Sequence, residues 1–386
     1  MQIEMPELSV IALIGGNRGE KLTFTKNNFS QSEILNLDEL EYSAGKRLEE
    51  AKLTVINVTN LQEKIYEAIV KLGKKYYCEP IAIVFNTSWL ISEEMSIKDL
   101  VATLEKKGFK KIYLLNNQDE IKNTKVRRIK LANNKRDIHG PFDIIGDIHG
   151  CYDELYELLE KLGYVVDQDY DTAYSTKNRK AVFLGDLVDR GPKSPKVLRL
   201  VMSMVKEGRA YCVIGNHDGK LLRKLKGSKV QEIHGLEKTL EQLEHESEQF
   251  IQEVKQFLEG LVSHYVFDAG KLVVVHAGLR EALQGRESKK VRDLAMFGET
   301  TGKLDEFGLP VRLNWSEAYK GSAFVVYGHT PQAKARIINN TINIDTGCVF
   351  GGKLTAFRYP EKEIIDIPAR QIYYESARPF LNEHER

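Results

Sequence analysis

Five short segments of this 386-residue chain gather acidic and imidazole side chains onto glycine-flanked turns: GDIHG (Gly146 to Gly150), GDLVDRG (Gly185 to Gly191), GNHD (Gly215 to Asp218), HAG (His276 to Gly278) and GHT (Gly328 to Thr330). Carboxylate oxygen and imidazole nitrogen together suit Mn, Fe or Zn, and glycine lets the chain bend sharply so that a metal can approach closely. A carboxylate such as Asp186 can bridge two cations about 3.5–4 Å apart, the geometry that clamps the attacking and leaving oxygens of an in-line displacement at phosphorus. Each piece alone is weak. A Gly-Asp after a strand is usually a turn, a single His is more often a hydrogen-bonded structural residue, and Asp-Arg is often a surface ion pair. Five such pieces, each directly after an apolar run, point to one site.

The elements that must position them are short apolar strands alternating with helix-period stretches. From Phe142 the chain reads FDIIGD, then CYDELYELLEKLG, AVFLGD, PKVLRLVMSMVKEG and AYCVIGN. A Glu- and Leu-rich helical insert follows from Leu236 to about Leu261, then LVVVHAG, AFVVYGHT and a closing meander, TINIDTG and KLTAFRY. Ligand sites in α/β sheets form at the carboxyl ends of strands, which is where every residue of interest falls. A similar alternation runs from Leu8 to Asn117 and predicts a parallel sheet with crossover helices. Apolar periodicity lapses between Asp119 and Arg136, in NTKVRRIKLANNKR, which reads as a solvated connector between two domains, 1–136 and 137–386, with a polyanion-binding strip as the alternative.

Composition bounds the rest. A chain this long exceeds what one core organises. With 56 Lys+Arg against 55 Asp+Glu, bulk charge argues for no polyanionic partner, so any nucleic-acid contact needs a local patch. Cys78, Cys151, Cys212 and Cys348 have no C-x-x-C spacing, and neither a disulfide framework nor a zinc ribbon is expected. The amino terminus lacks signal-peptide charge, and no apolar run approaches the ~18 residues of a membrane span, so a cytoplasmic protein with no membrane partner is expected.

The five motifs together resemble the metallophosphoesterase superfamily, which contains Ser/Thr protein phosphatases, diadenosine tetraphosphatases and the phosphatase module of bacterial RNA-repair enzymes. The resemblance implies a calcineurin-like α/β sandwich holding two divalent metals, Mn²⁺ first among the candidates and Fe, Zn or Ni after it. It implies Asp147, His149 and Asp186 as ligands of one metal, and Asp186, Asn216, His276 and His329 as ligands of the other. His217 takes the place of the general acid, Asp189 of the residue that orients it and Arg190 of a phosphate clamp. Asp345, in IDTGCVFGG, matches a late acidic position, as ligand or as neighbour of one. A carboxylate behind His217 is expected to favour its charged form.

Over residues 137 to 370, HGPFDIIGDIHGCYDEL, GNHDGKLLRKLKG and NNTINIDTGCVFGGKLTAFRYPEKE look most like the phosphatase module of bacterial polynucleotide kinase-phosphatase. The upstream domain resembles the kinase module of that enzyme, with Asp38 of LNLDE in the place of its catalytic base. A P-loop reads G-x-x-x-x-G-K-[ST], whereas this chain has Gly15-Gly-Asn-Arg-Gly-Glu20-Lys21-Leu22. Lys21 survives. Glu20 sets a carboxylate beside the phosphate cradle, Leu22 cannot bind Mg²⁺, and Thr23 falls one residue late. Glu41 stands where the family has an arginine, and NTSWLISEEMS lacks an arginine-bearing lid, so the amino-terminal domain is expected to have lost catalysis.

Three readings follow. The first is hydrolysis of 2′,3′-cyclic or 3′-phosphate ends of nucleic acid, with a ligase or other RNA-repair protein as partner. The second is a dinucleoside polyphosphate hydrolase, or a Ser/Thr protein phosphatase, on the same ligand set. The third is a regulatory binding protein that recruits through the inactive kinase-like domain.

Overall fold

The computed structural model describes residues 1–377 apart from 38, 39, 41, 60, 61, 88–95, 168 and 170. Asp38, Glu41 and most of the lid segment NTSWLISEEMS therefore lie outside the described residues. Packing divides the chain into two units, one of Met1–Ala132 with Gly285–Lys290 and one of Asn133–Gln284 with Val291–Arg386.

The first unit carries a five-stranded, all-parallel sheet in the order Ile34–Asn36, Thr54–Asn57, Ser9–Gly15, Glu79–Phe85, Lys111–Leu115. All seven residues of Ser9–Gly15 are buried, as a strand covered on both faces by helices requires. The stretch expected to be a solvated connector is in fact structured. Lys125–Ile129 pairs in parallel with Gln2–Pro6, and Asn134–Lys135 pairs with the end of His264–Phe267. Its polar sequence reflects an edge strand with most side chains exposed rather than an absence of strand.

The second unit is a sandwich of two six-stranded sheets. One runs Ala210–Cys212, Lys180–Phe183, Phe142–Ile145, Lys353–Tyr359, Asp345–Thr346, with Glu363–Pro368 paired to Lys353–Tyr359. The other runs Arg336–Ile338, Thr341–Asn343, Phe324–Tyr327, Leu272–Val275, His264–Phe267, Asn134–Lys135. Alternation decides which side each residue faces. Ile144 and Val182 join Phe267, Val274 and Val326 between the sheets, while their neighbours Ile145 and Phe183 face the opposite way, onto the helices Tyr152–Leu162 and Ser194–Lys206. The chain changes sheets across Ile344, which sets Asp345 at the seam beside the strand ends that carry the motifs.

Candidate active site

The strand ends deliver the predicted residues to one place. Asp147 follows Phe142–Ile145, Asp186 follows Lys180–Phe183, Asn216 opens the helix after Ala210–Cys212, His276 follows Leu272–Val275 and His329 follows Phe324–Tyr327. His149, Asp186, Asp189, Arg190 and His329 adopt positive φ of 46°, 47°, 74°, 71° and 74°. For residues with a Cβ this costs ~1–3 kcal/mol each and persists only where the surroundings over-determine it. Two glycines permit the approach of the carboxylates, because a Cβ on Gly215 would collide with Asp186 Oδ1 and one on Gly328 with Asp147 Oδ1.

What converges there is a set of lone pairs short of hydrogens. His276 donates from Nδ1 to the Leu184 carbonyl at 2.9 Å, which leaves Nε2 as an acceptor. That nitrogen faces Asn216 Oδ1 at 3.0 Å, His329 Nδ1 at 3.0 Å and Asp186 Oδ2 at 3.4 Å. His149 likewise donates from Nδ1 to the Val188 carbonyl at 2.8 Å and turns Nε2 toward Asp186 Oδ2 at 3.6 Å. Asp147 Oδ1 and His329 Nε2 are buried with no hydrogen-bond partner. Buried acceptors without donors are costly, and cations resolve the cost for all of them at once. Two groups, His149 with Asp186 and His217, and Asp186 with His276 and His329, have ligand atoms close enough to hold a metal ion. Asp186 belongs to both.

The electrostatics agree with the geometry. Burial pushes the Asp147 carboxyl well above its ordinary range, with Asp345 and Asp186 adding repulsion. Burial likewise pushes Asp186 and Asp345 up to about 7. Asp345 accepts the Gly347 N–H at 3.0 Å through Oδ1. Three buried carboxylates this close ionise together only beside positive charge.

His217 donates from Nδ1 to Asp189 Oδ2 at 2.6 Å, and its Nε2 receives Arg190 Nη2 at 2.9 Å. The other terminal nitrogen of Arg190 reaches His149 Nε2 at 2.8 Å. The sequence led us to expect a charged imidazole here. Instead burial, then the Arg190 guanidinium, drives the His217 pKa well below its ordinary value, while burial lifts Asp189 to about 7. A neutral ring with its hydrogen on Nδ1 satisfies both neighbours.

Two residues to which the sequence assigned no role support this frame. Asp218, in the quoted GNHD, accepts the N–H groups of Asp186 at 2.8 Å, Gly215 at 2.9 Å and Leu187 at 3.0 Å, and so fixes the turn bearing Asp186. Thr239 donates to Asp189 Oδ1 and accepts the Asp189 N–H, both at 2.9 Å. Asp218 was legible in its motif; Thr239, in the helical insert, had no local signal.

In the first unit, the turn after Ser9–Gly15 leads into the helix Arg18–Asn28, as a phosphate loop would. Glu20 fills its mouth. Its Oε2 accepts the Asn17 N–H at 2.7 Å and the Thr87 hydroxyl at 3.0 Å, and Oε1 accepts from Gln118. Lys21 is buried and donates to the Val58 carbonyl, burial lowering its pKa to about 8. Leu22 is exposed, and the Thr23 hydroxyl is spent on the Gly19 carbonyl at 2.8 Å.

Among the described residues no helix is long and apolar enough to cross a membrane. The family model described as calcineurin-like phosphoesterase matches residues 140–333. A bis(5′-nucleosyl)-tetraphosphatase PrpE [asymmetrical] of Halalkalibacterium halodurans is 49% identical over 235 residues, covering 60% of this chain and 94% of the relative. Proteins of the same name from Anoxybacillus flavithermus and Bacillus subtilis are each 45% identical, covering 62% and 61% of this chain and 99% and 97% of their own lengths. Those names match the second of the three readings better than the nucleic-acid-end phosphatase that led. By this family match the chain belongs to the calcineurin-like phosphoesterases, a family of metal-dependent hydrolases.

Proposed function

We propose that this chain hydrolyses dinucleoside polyphosphates, cleaving an anhydride off centre so that diadenosine tetraphosphate and water yield ATP and AMP. One observation carries this beyond the relatives' names. A cleft of about 630 Å³ opens over Asp186, Asn216, His217 and His329, and its walls bring Arg190, Lys220, Arg223, Lys229 and Arg312. Five cations suit a chain of phosphates better than one terminal phosphate.

In this reading Asp147, His149 and Asp186 hold one divalent cation, Asp186, Asn216, His276 and His329 the other, and Asp345 adds negative charge beside Asp147. Mn²⁺ is the expected ion for such an oxygen and imidazole set. The bound pair supplies Lewis acidity and an activated water. Arg190 turns from the imidazoles to the oxygens of the attacked phosphoryl group. Lys220, Arg223 and Lys229 hold the distal phosphates in line. The test is a panel of diadenosine tetraphosphate, a 3′-phosphorylated RNA oligomer, its 2′,3′-cyclic form and a phosphopeptide. The tetraphosphate should give the highest kcat/KM, with ATP and AMP in equal amounts, and Arg223→Glu with Lys229→Glu should raise its KM roughly 10- to 100-fold. A preference for either RNA end would return the site to nucleic-acid repair.

The first unit, on the same proposal, transfers no phosphate. The Glu20 carboxylate sits where the helix N-terminus would take an anion, and Lys21 is turned away. A γ-labelled ATP and a 5′-hydroxyl oligonucleotide should give no labelled product. Labelling that disappears in Lys21→Ala would overturn this.

A further inference from the structure

We infer that the segment from Arg370 to Ala377, together with Phe350, is a positioning element for Arg190, acting through the rings of Tyr374 and Phe350. The inference rests on Arg190 being the phosphate clamp of the proposed reaction. The Arg190 guanidinium carbon lies 5.0 Å from the centre of the Phe350 ring and 6.0 Å from that of Tyr374. Its Nε is buried without a hydrogen-bond partner. Its terminal nitrogens donate to the Nε2 atoms of His149 and His217, the lone pairs that a metal and a proton would claim. Its charge also acts on Asp147, Asp186, Asp189 and Asp345, most of them carboxylates that a metal would take up. Once those are claimed, the two rings still hold the guanidinium over the cleft.

A second thread ties the same segment to the Arg190 backbone. Lys238 Nζ donates to the Arg190 carbonyl at 3.3 Å and to the Tyr373 carbonyl at 3.2 Å, and lies 5.4 Å from the Tyr374 ring centre. The segment is itself firmly docked. The Tyr373 and Tyr374 N–H groups both donate to the Val349 carbonyl, at 3.0 and 3.1 Å. Fully buried Glu154 accepts the Tyr373 hydroxyl at 2.7 Å and the Arg370 N–H at 3.0 Å. A pair of rings beside the cleft invites a base-stacking reading, but here Tyr374 lies beside Arg190 and Lys238, and Phe350 beside Arg190. Their task in this geometry is to aim Arg190.

The experiment uses the full-length, Mn²⁺-loaded enzyme with p-nitrophenyl phosphate as substrate and inorganic phosphate as inhibitor, so it does not depend on the physiological substrate. Tyr374→Ala and Phe350→Leu should each raise the phosphate Ki and the KM roughly tenfold. Bound metal should be unchanged and kcat should stay within about threefold. Tyr374→Phe, which keeps the ring, should restore wild-type values. Arg190→Ala should raise Ki at least as much, and adding Tyr374→Ala to it should cost nothing further, because the two act as one unit. If Arg190→Ala raises Ki while Tyr374→Ala does not, or if their effects add, the positioning role is wrong. If Arg190→Ala itself leaves Ki unchanged, the clamp assignment beneath it fails instead.

Discussion

Stripping the divalent cations with a chelator should abolish hydrolysis, and restoring Mn²⁺ should raise the melting temperature by more at about pH 7.5 than at about pH 5.5. The signs come from two opposed sets of buried groups. Asp186 and Asp345 are lifted by burial from 3.8 to about 7, and Asp147 is raised further by its carboxylate neighbours as well. A carboxyl raised in the folded state favours folding below its ordinary value and loses that contribution as pH climbs through about 7. His149, His276 and His329 are depressed by burial, so they favour folding above 6.5 and lose that contribution as pH falls. In the cation-free protein the two trends oppose each other. Cations remove the cost of ionising the carboxylates and leave the imidazole contribution intact, so the gain on loading grows with pH. Protons should be released on loading between about pH 5 and 7, measurable by calorimetry in buffers of different ionisation enthalpy. Asp186→Ala, which removes the carboxylate common to both candidate groups, should lower kcat roughly a thousandfold or more. Full-rate hydrolysis of p-nitrophenyl phosphate by stripped protein, or a larger thermal gain at the lower pH, would refute the two-cation reading.

That these residues converge was legible because the signal is written locally: each sits within two or three positions of a glycine at the end of an apolar strand. Other features were illegible for physical reasons. The polar strand Lys125–Ile129 is an edge, exposed enough to lack apolar periodicity, so it read as linker. Tyr374 and Lys220 enter the cleft from segments whose local sequence carries no signal of what they face. The protonation of His217 depends on burial and on Arg190, both set by tertiary packing, and a carboxylate neighbour alone gave the opposite sign. Choosing among substrates was harder still, because the ligand set is shared by enzymes that cut esters and enzymes that cut anhydrides. On our proposal the cations of the cleft, not the metal ligands, discriminate.

That distinction sets the expected effect of His217→Ala. As the ring stands, its hydrogen is on Nδ1, given to Asp189, and Nε2 is an acceptor. To donate to a departing oxygen it must first acquire a proton at Nε2, with Arg190 moved off that lone pair and the negative charge of substrate in its place. Asp189, lifted by burial to about 7, then shares the charge across the 2.6 Å contact. How much this matters depends on what departs. A ribose or alkyl alkoxide cannot leave without a proton, and a positioned acid contributes ~10²–10⁴-fold. A phosphate leaving from an anhydride has a second pKa of about 6, so it departs as an anion near neutral pH and needs little help. His217→Ala should therefore cost roughly 10²–10⁴-fold in kcat on an alkyl phosphate or a nucleoside 3′-phosphate. It should cost about tenfold or less on diadenosine tetraphosphate or p-nitrophenyl phosphate, with bound metal unchanged. Asp189→Asn should rank the substrates in the same order with smaller losses. His217 also stands with His149 and Asp186 among groups able to hold an ion. Equal losses on all four substrates accompanied by loss of one metal would make it a ligand, and equal losses with metal retained would make it a support for the loop; either result would end its assignment as proton donor.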